Sequence, residues 1–177
     1  MRFQKIILIA GVLASGHLAA SPEIQQCISD ASERYKVHPY IIWAIAKTES
    51  SFRPTVIAKN TDGSIDIGLM QVNSWWLERR KSPNKPKRLG DYGVTKEQLL
   101  DPCTNIHAGA WVLAQNMKAY GNTWKAIGAY NAVTPWKQER YVRKVQKNLQ
   151  IAIQKSKGAG LYQAQTGQEQ TLKVVSR

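Results

Sequence analysis

Residues 44–54 read AIAKTESSFRP, and one residue in that run is out of place. Ile42, Ile45, Ala46 and Glu49 are spaced i, i+3, i+4 and i+7, so a helix would carry them on one face. Three are apolar and the fourth is a carboxylic acid, in a chain that has only 12 Asp and Glu among 177 residues. A carboxyl on a buried face loses hydration in its charged form, and its pKa rises. Such a group stays protonated near neutral pH and can act as a general acid. The competing structural reading is a helix-terminal Glu that turns out into water.

Working outward, Ser21-Pro22 is an N-cap and N1 pair that opens a helix bearing Ile24, Cys27, Ile28 and Ala31 on one face. Val37-His38-Pro39 breaks it, and a second helix is predicted from near Pro39 to about Ser50. NTDGSIDI, residues 60–67, is dense in turn formers and ends in alternation, the pattern of a tight hairpin or small irregular sheet. Residues 69–80 read as a helix and residues 83–94 as a loop. Thr95 caps a short helix with Leu99 and Leu100. Asp101-Pro102 caps a longer one through Tyr120, closed by Gly121. Asn122 or Thr123 caps residues 124 to about 130, and Thr134-Pro135 starts a last helix to about Gln154. The expected fold class is mainly α, with one small β-hairpin element and a cleft between two parts.

Two end segments fall outside that plan. Residues 1–20, MRFQKIILIAGVLASGHLAA, carry a basic start, a short apolar run and small residues at Ala19 and Ala20. This is the pattern of a secretory signal peptide, and the apolar run is too short to span a membrane; a retained N-terminal anchor is the alternative. Residues 156–177 are rich in Gly, Gln, Ser and Lys with little apolar periodicity and are expected to form a flexible tail. Residues 21–155 are then the folded domain.

The formal charge is +13. Residues 1–20 hold two of the basic residues and none of the acidic ones, so a processed chain carries +11. A basic exported protein suits an anionic partner, and charge alone does not say which. Arg79, Arg80, Lys81, Lys85, Lys87 and Arg88 cluster around Pro83 and Pro86, as in a solvated loop. Two cysteines, Cys27 and Cys103, suggest one disulfide after export, with two buried thiols as the alternative. Two cysteines without further ligands do not make a structural zinc site, and neither a metal nor a cofactor is expected. No basic stripe or reading helix for nucleic acid is present.

With Glu49 go three further stretches: ES at 49–50, GLMQVN at 68–73 and AYN at 129–131, about 20 and then about 60 residues apart. In this order and spacing the chain resembles the lysozyme-like superfamily and, within it, the lytic transglycosylase (SLT) domain. It is most similar to the small exported members that accompany type III and type IV secretion and conjugation systems. The resemblance runs from about Ile24 to Val145. It implies a lysozyme-like α domain, a periplasmic location, a peptidoglycan strand as substrate, and partners in a secretion or conjugation machine, with the chain acting as a monomer. Residue by residue it implies Glu49 as the catalytic acid and Ser50 as a substrate-binding residue that also helps orient it. Met70, Gln71, Tyr130, Asn131 and Tyr141 are implied as neighbours of the bound glycan.

Each implied role has a plainer reading: Ser50 as a helix-end polar residue, Met70 as core, Asn131 as a helix terminator, Tyr141 as surface. Asp66 adds an ambiguity. Retaining hydrolases set a second carboxylate about 5 Å from the acid, and NTDGSIDIG also resembles lysozymes at that position. Asp66 can equally organise a turn with Asp62. Three functions follow: a lytic transglycosylase making 1,6-anhydro-muramic acid ends, a lysozyme-type muramidase using Glu49 and Asp66, and a noncatalytic peptidoglycan-binding scaffold. An intact Glu49 argues against the last.

Overall fold

The computed structural model describes residues 20–82 and 84–158. The expected signal peptide lies outside the described residues except for Ala20, and so does the expected tail beyond Gly158. Helix α1, Pro22–Tyr35, starts where Ser21 Oγ accepts the Ile24 amide. It ends at Lys36, which adopts a left-handed conformation. Helix α2, Pro39–Glu49, buries Ile41, Ile42, Ala44, Ile45 and Ala46. Those positions cover more than half of the helix circumference, which marks it as the central one. The long helix α5, Pro135–Gly158, packs along α2; α1 packs on α3, Pro102–Tyr120; and α4, Trp124–Asn131, wedges between α3 and α5. The Asp101 and Thr123 side chains cap α3 and α4, as their sequences predict.

Cys27 and Cys103 are disulfide-bonded and tie α1 to the first turn of α3. A crosslink closing a loop this long removes about 4 to 5 kcal/mol of chain entropy in the simple model. No helix among the described residues is long and apolar enough to cross a membrane.

The sheet is small. Strands β1 (Ile57–Lys59), β2 (Ile65–Ile67) and β3 (Val72–Asn73) run antiparallel in that order. Asp66 stands opposite Ala58 on one side and Asn73 on the other.

Three expectations are corrected. Residues 69–80 do not form a helix: they make a turn, strand β3 and a 3-10 turn, Ser74–Leu77. The cause is local. Gly68 and Gln71 both take positive φ (76° and 50°), and Asn73 Oδ1 accepts the Trp75 amide. Helical apolar spacing in LMQVNSWW is real but is outvoted by pairing with β2 and by the bond from the Met70 amide to the Asn105 side chain on α3. Second, the basic loop is not wholly solvated. Arg88 is buried; it pairs with Glu78 Oε2 at 2.5 Å and lies 3.4 Å from the centroid of the Trp75 ring. Third, α5 runs past the expected boundary to Gly158, and Ser156 is buried.

Candidate active site

Glu49 is the last residue of α2. The chain then turns through Ser51 and Phe52, both at positive φ (55° and 66°), a conformation that costs energy for residues with a Cβ. Packing offsets it: Phe52 is buried against Trp43, ring centroids 5.0 Å apart. Ser50, between Glu49 and Ser51 in the chain, is buried; its hydroxyl donates to Leu69 O at 2.6 Å and accepts the Arg53 amide. The end of the acid-bearing helix is thus bolted to residues 68–71.

That second segment is held just as closely from the other side. Asn105 on α3 is fully buried. Its Oδ1 accepts the Met70 amide at 2.6 Å, and its Nδ2 donates to Ile67 O and Leu99 O. Gly68 is required here, since a Cβ would stand 2.2 Å from Asn105 Nδ2. Met70 sits over Gly109, where a Cβ would reach 2.6 Å from the Met70 sulfur. The Tyr130 hydroxyl on α4 donates to Met70 O at 2.9 Å. Three helices, α2, α3 and α4, therefore converge on one turn.

The turn floors a cleft of about 550 Å³ between the sheet and α4. Glu49, Asp66, Gln71, Asn73, Trp76, Tyr130 and Asn131 line it, with Asn60, Asp62 and Ser64 along the sheet side. Neutral amides and hydroxyls dominate this lining, which suits a ligand rich in hydroxyl and amide groups.

Burial pushes the Glu49 carboxyl up from its ordinary 4.5 to about 7. That value is the net result: the Tyr141 hydroxyl opposes burial, the nearby Asp66 charge adds to it, and the Lys144 ammonium pulls the other way. Tyr141, buried on α5, donates to Glu49 Oε1 at 2.5 Å. Tyr130 and Tyr141 are themselves driven well above 10, first by burial and then by the Glu49 charge, so both hydroxyls stay protonated as donors. Across the cleft, Asp66 Oδ1 accepts from Asn73 Nδ2 and Oδ2 from Asn60 Nδ2. Asp62 turns instead to Ser64 and organises the β1–β2 loop.

Glu49, Asp66, Gln71, Tyr130 and Asn131 are brought together on the cleft wall, and Tyr141 reaches it through Glu49. Gln71 spends its amide on Val56 O and Gly68 O, which leaves Oε1 for a ligand. Ser50 and Met70 do not reach the cleft. Their side chains are buried, so neither can touch a sugar; they hold the turn in place. Sequence reading passed over Asn105, Asn60, Asn73 and Lys144. Asn105 had a signal: it shares a helical face with Ala108 and Val112, a polar residue on a buried stripe.

A helical domain with a small sheet, a cleft and a single buried acid at the end of its central helix defines a lysozyme-like glycan-cleaving enzyme. Residues 26–154 match the Transglycosylase SLT domain, and the chain belongs to that family, the peptidoglycan lytic transglycosylases. It is 39% identical over 127 residues to Invasion protein IagB of Salmonella typhimurium, covering 69% of this chain and 74% of the relative. It is 36% identical over 115 residues to Protein IpgF of Shigella flexneri, covering 64% and 70%. An Escherichia coli X polypeptide is 39% identical over 107 residues, covering 60% of this chain and 58% of that one.

Proposed function

We propose that this protein cleaves the β-1,4 bond between N-acetylmuramic acid and N-acetylglucosamine and closes a 1,6-anhydro ring on the muramic acid. The observation that carries this reading is the Glu49 carboxyl, raised to about 7 and held by Tyr141. Protonated, Glu49 donates to the glycosidic oxygen as the bond to the muramic anomeric carbon breaks. The substrate's own N-acetyl carbonyl stabilises the positive charge there. Glu49, now a carboxylate, takes the proton from the C6 hydroxyl of the same sugar, and that oxygen closes on the anomeric carbon. One residue serves as acid and then base, and no water is consumed.

In this scheme Tyr141 positions Glu49, and Gln71, Tyr130 and Asn131 form the wall beside the sugars. Asp66 is an accessory carboxylate facing the developing positive charge. A second reading, a retaining muramidase, is favoured by Asp66 lining the same cleft as Glu49. Mass analysis of fragments released from purified sacculi decides between them. Anhydro ends, lighter by one water and resistant to borohydride, are expected; reducible muramic acid ends as the main product overturn the proposal.

The cellular role we propose is local opening of the wall in the periplasm for a type III or type IV secretion or conjugation apparatus. The likeness to an invasion protein supports it, and the disulfide supports export. Loss of apparatus assembly on inactivating Glu49, in an otherwise normal cell, is the result expected; normal assembly rejects the role.

A further inference from the structure

A second hollow, about 280 Å³, lies on the α5 side of Glu49. Glu49, Asn131 and Lys137 line both hollows, so the two meet at the acid. Their chemistry differs. The larger cleft presents amides, hydroxyls and two aspartates. The smaller presents Lys137, Arg140 and Lys144, spaced i, i+3 and i+7 on one face of α5, beside the 59% exposed Trp136. Glu49 is the one carboxylate among its described lining residues. The acid on the neighbouring turn, Glu139, faces Arg143 instead. Three cations face a single acid, Glu49, so the hollow keeps a positive excess for an external anion.

We infer that this hollow takes the carboxylate-bearing peptide stem of the muramic acid unit. The inference rests on the peptidoglycan reading above. A ligand that spans both hollows has its scissile bond at their junction and an anionic branch next to it. In peptidoglycan that branch is the peptide joined through the lactyl ether of muramic acid, with several free carboxylates along it. Arg140 and Lys144 pair with those carboxylates, Lys137 stands where the branch leaves the sugar, and the Trp136 ring covers the apolar part of the peptide.

The test compares glycan strands that carry stems with the same strands stripped by an amidase. Fluorescent strands of both kinds are titrated into Glu49→Gln protein, and turnover is followed with the active enzyme. Stem-bearing strands should bind more tightly. Arg140→Gln should weaken them about fivefold, raising KM rather than lowering kcat, and Arg140→Glu should weaken them further. Stripped strands should bind Arg140→Gln and its parent equally. Equal affinity for both kinds of strand, or an equal loss on both, overturns the inference and leaves the reaction standing. Stem-dependent binding with no anhydro product sinks the reaction and leaves the hollow's role standing.

Discussion

The Tyr141 hydroxyl donates to Glu49 Oε1 at 2.5 Å, joining the end of α2 to α5 across 92 positions of sequence. The bond fixes one carboxyl oxygen and leaves the other free to face the cleft. It also favours the carboxylate, against the larger effect of burial. Removing it should therefore raise the Glu49 pKa above about 7. Tyr141→Phe should move the alkaline fall in kcat/KM to higher pH and lower the maximum about tenfold through looser positioning. An unmoved pH limb with full activity would show that the bond does nothing for the acid.

Glu49→Gln should abolish release of soluble fragments from sacculi while the fold persists. It should also stabilise the protein, in a pH-dependent way. A carboxyl whose folded pKa is raised contributes stability that is complete below its unfolded pKa of about 4.5. That stability is lost as pH rises through about 7. Above pH 7 the wild type carries an unfavourable buried charge worth up to about 3 kcal/mol. Melting temperatures of the two proteins should converge near pH 4, separate progressively as pH rises to about 7 and stay apart above it, with the variant higher.

Asp66→Asn should slow strand cleavage by roughly ten- to a hundredfold, about 1.4 to 2.8 kcal/mol of barrier, and leave the products unchanged. Its two oxygens accept from Asn60 Nδ2 and Asn73 Nδ2, and the amide can keep only one of these bonds, so part of the loss is positional. A loss as complete as that of Glu49→Gln, with reducible ends in the wild type, would assign Asp66 the part of a retaining nucleophile.

Protein taken from an oxidising compartment and denatured should show no titratable thiol, since Cys27 and Cys103 are joined. Replacing both with Ser should cost about 2–5 kcal/mol of stability by denaturant titration. A change under 0.5 kcal/mol would mean that the α1–α3 packing alone holds those helices.

Asn105→Ala strips partners from the Met70 amide and from the Ile67 and Leu99 carbonyls at once. A loss of about 3 kcal/mol or more is expected. Activity should fall even where the protein stays folded, because Tyr130 hangs on the same turn. A fully active, equally stable Asn105→Ala protein would remove the turn from its role as a keystone.

The helices were legible because their ends carry local chemistry. Ser21-Pro22, Asp101-Pro102 and Thr123 announce starts that depend only on neighbours in sequence. Glu49 was legible as a polar residue on an apolar face, and the 68–73 and 129–131 motifs put it in a family. Residues 69–80 were misread because their shape is set by partners far away: Asn105, 35 positions from Met70, and Tyr130, 60 positions from it. Ser50 and Met70 were placed beside the sugar because a motif shows which residues matter but not which way they point. Arg88 was misjudged for a similar reason: burial under Trp75 depends on a fold-back that charge clustering does not reveal.

The packing of α2 on α5 also sets when the protein becomes competent. A ribosome delivers Glu49 early and Tyr141 some ninety residues later, and Thr48 waits still longer for Asn148, its hydrogen-bond partner 100 positions away. Contacts this distant in sequence form late, because loop closure must precede them. Until α5 docks, Glu49 ends a helix open to water, where an ordinary carboxyl is ionised and cannot donate a proton. A nascent or truncated chain lacking α5 is for that reason harmless to glycan, and the power to cut arrives only with the last helix.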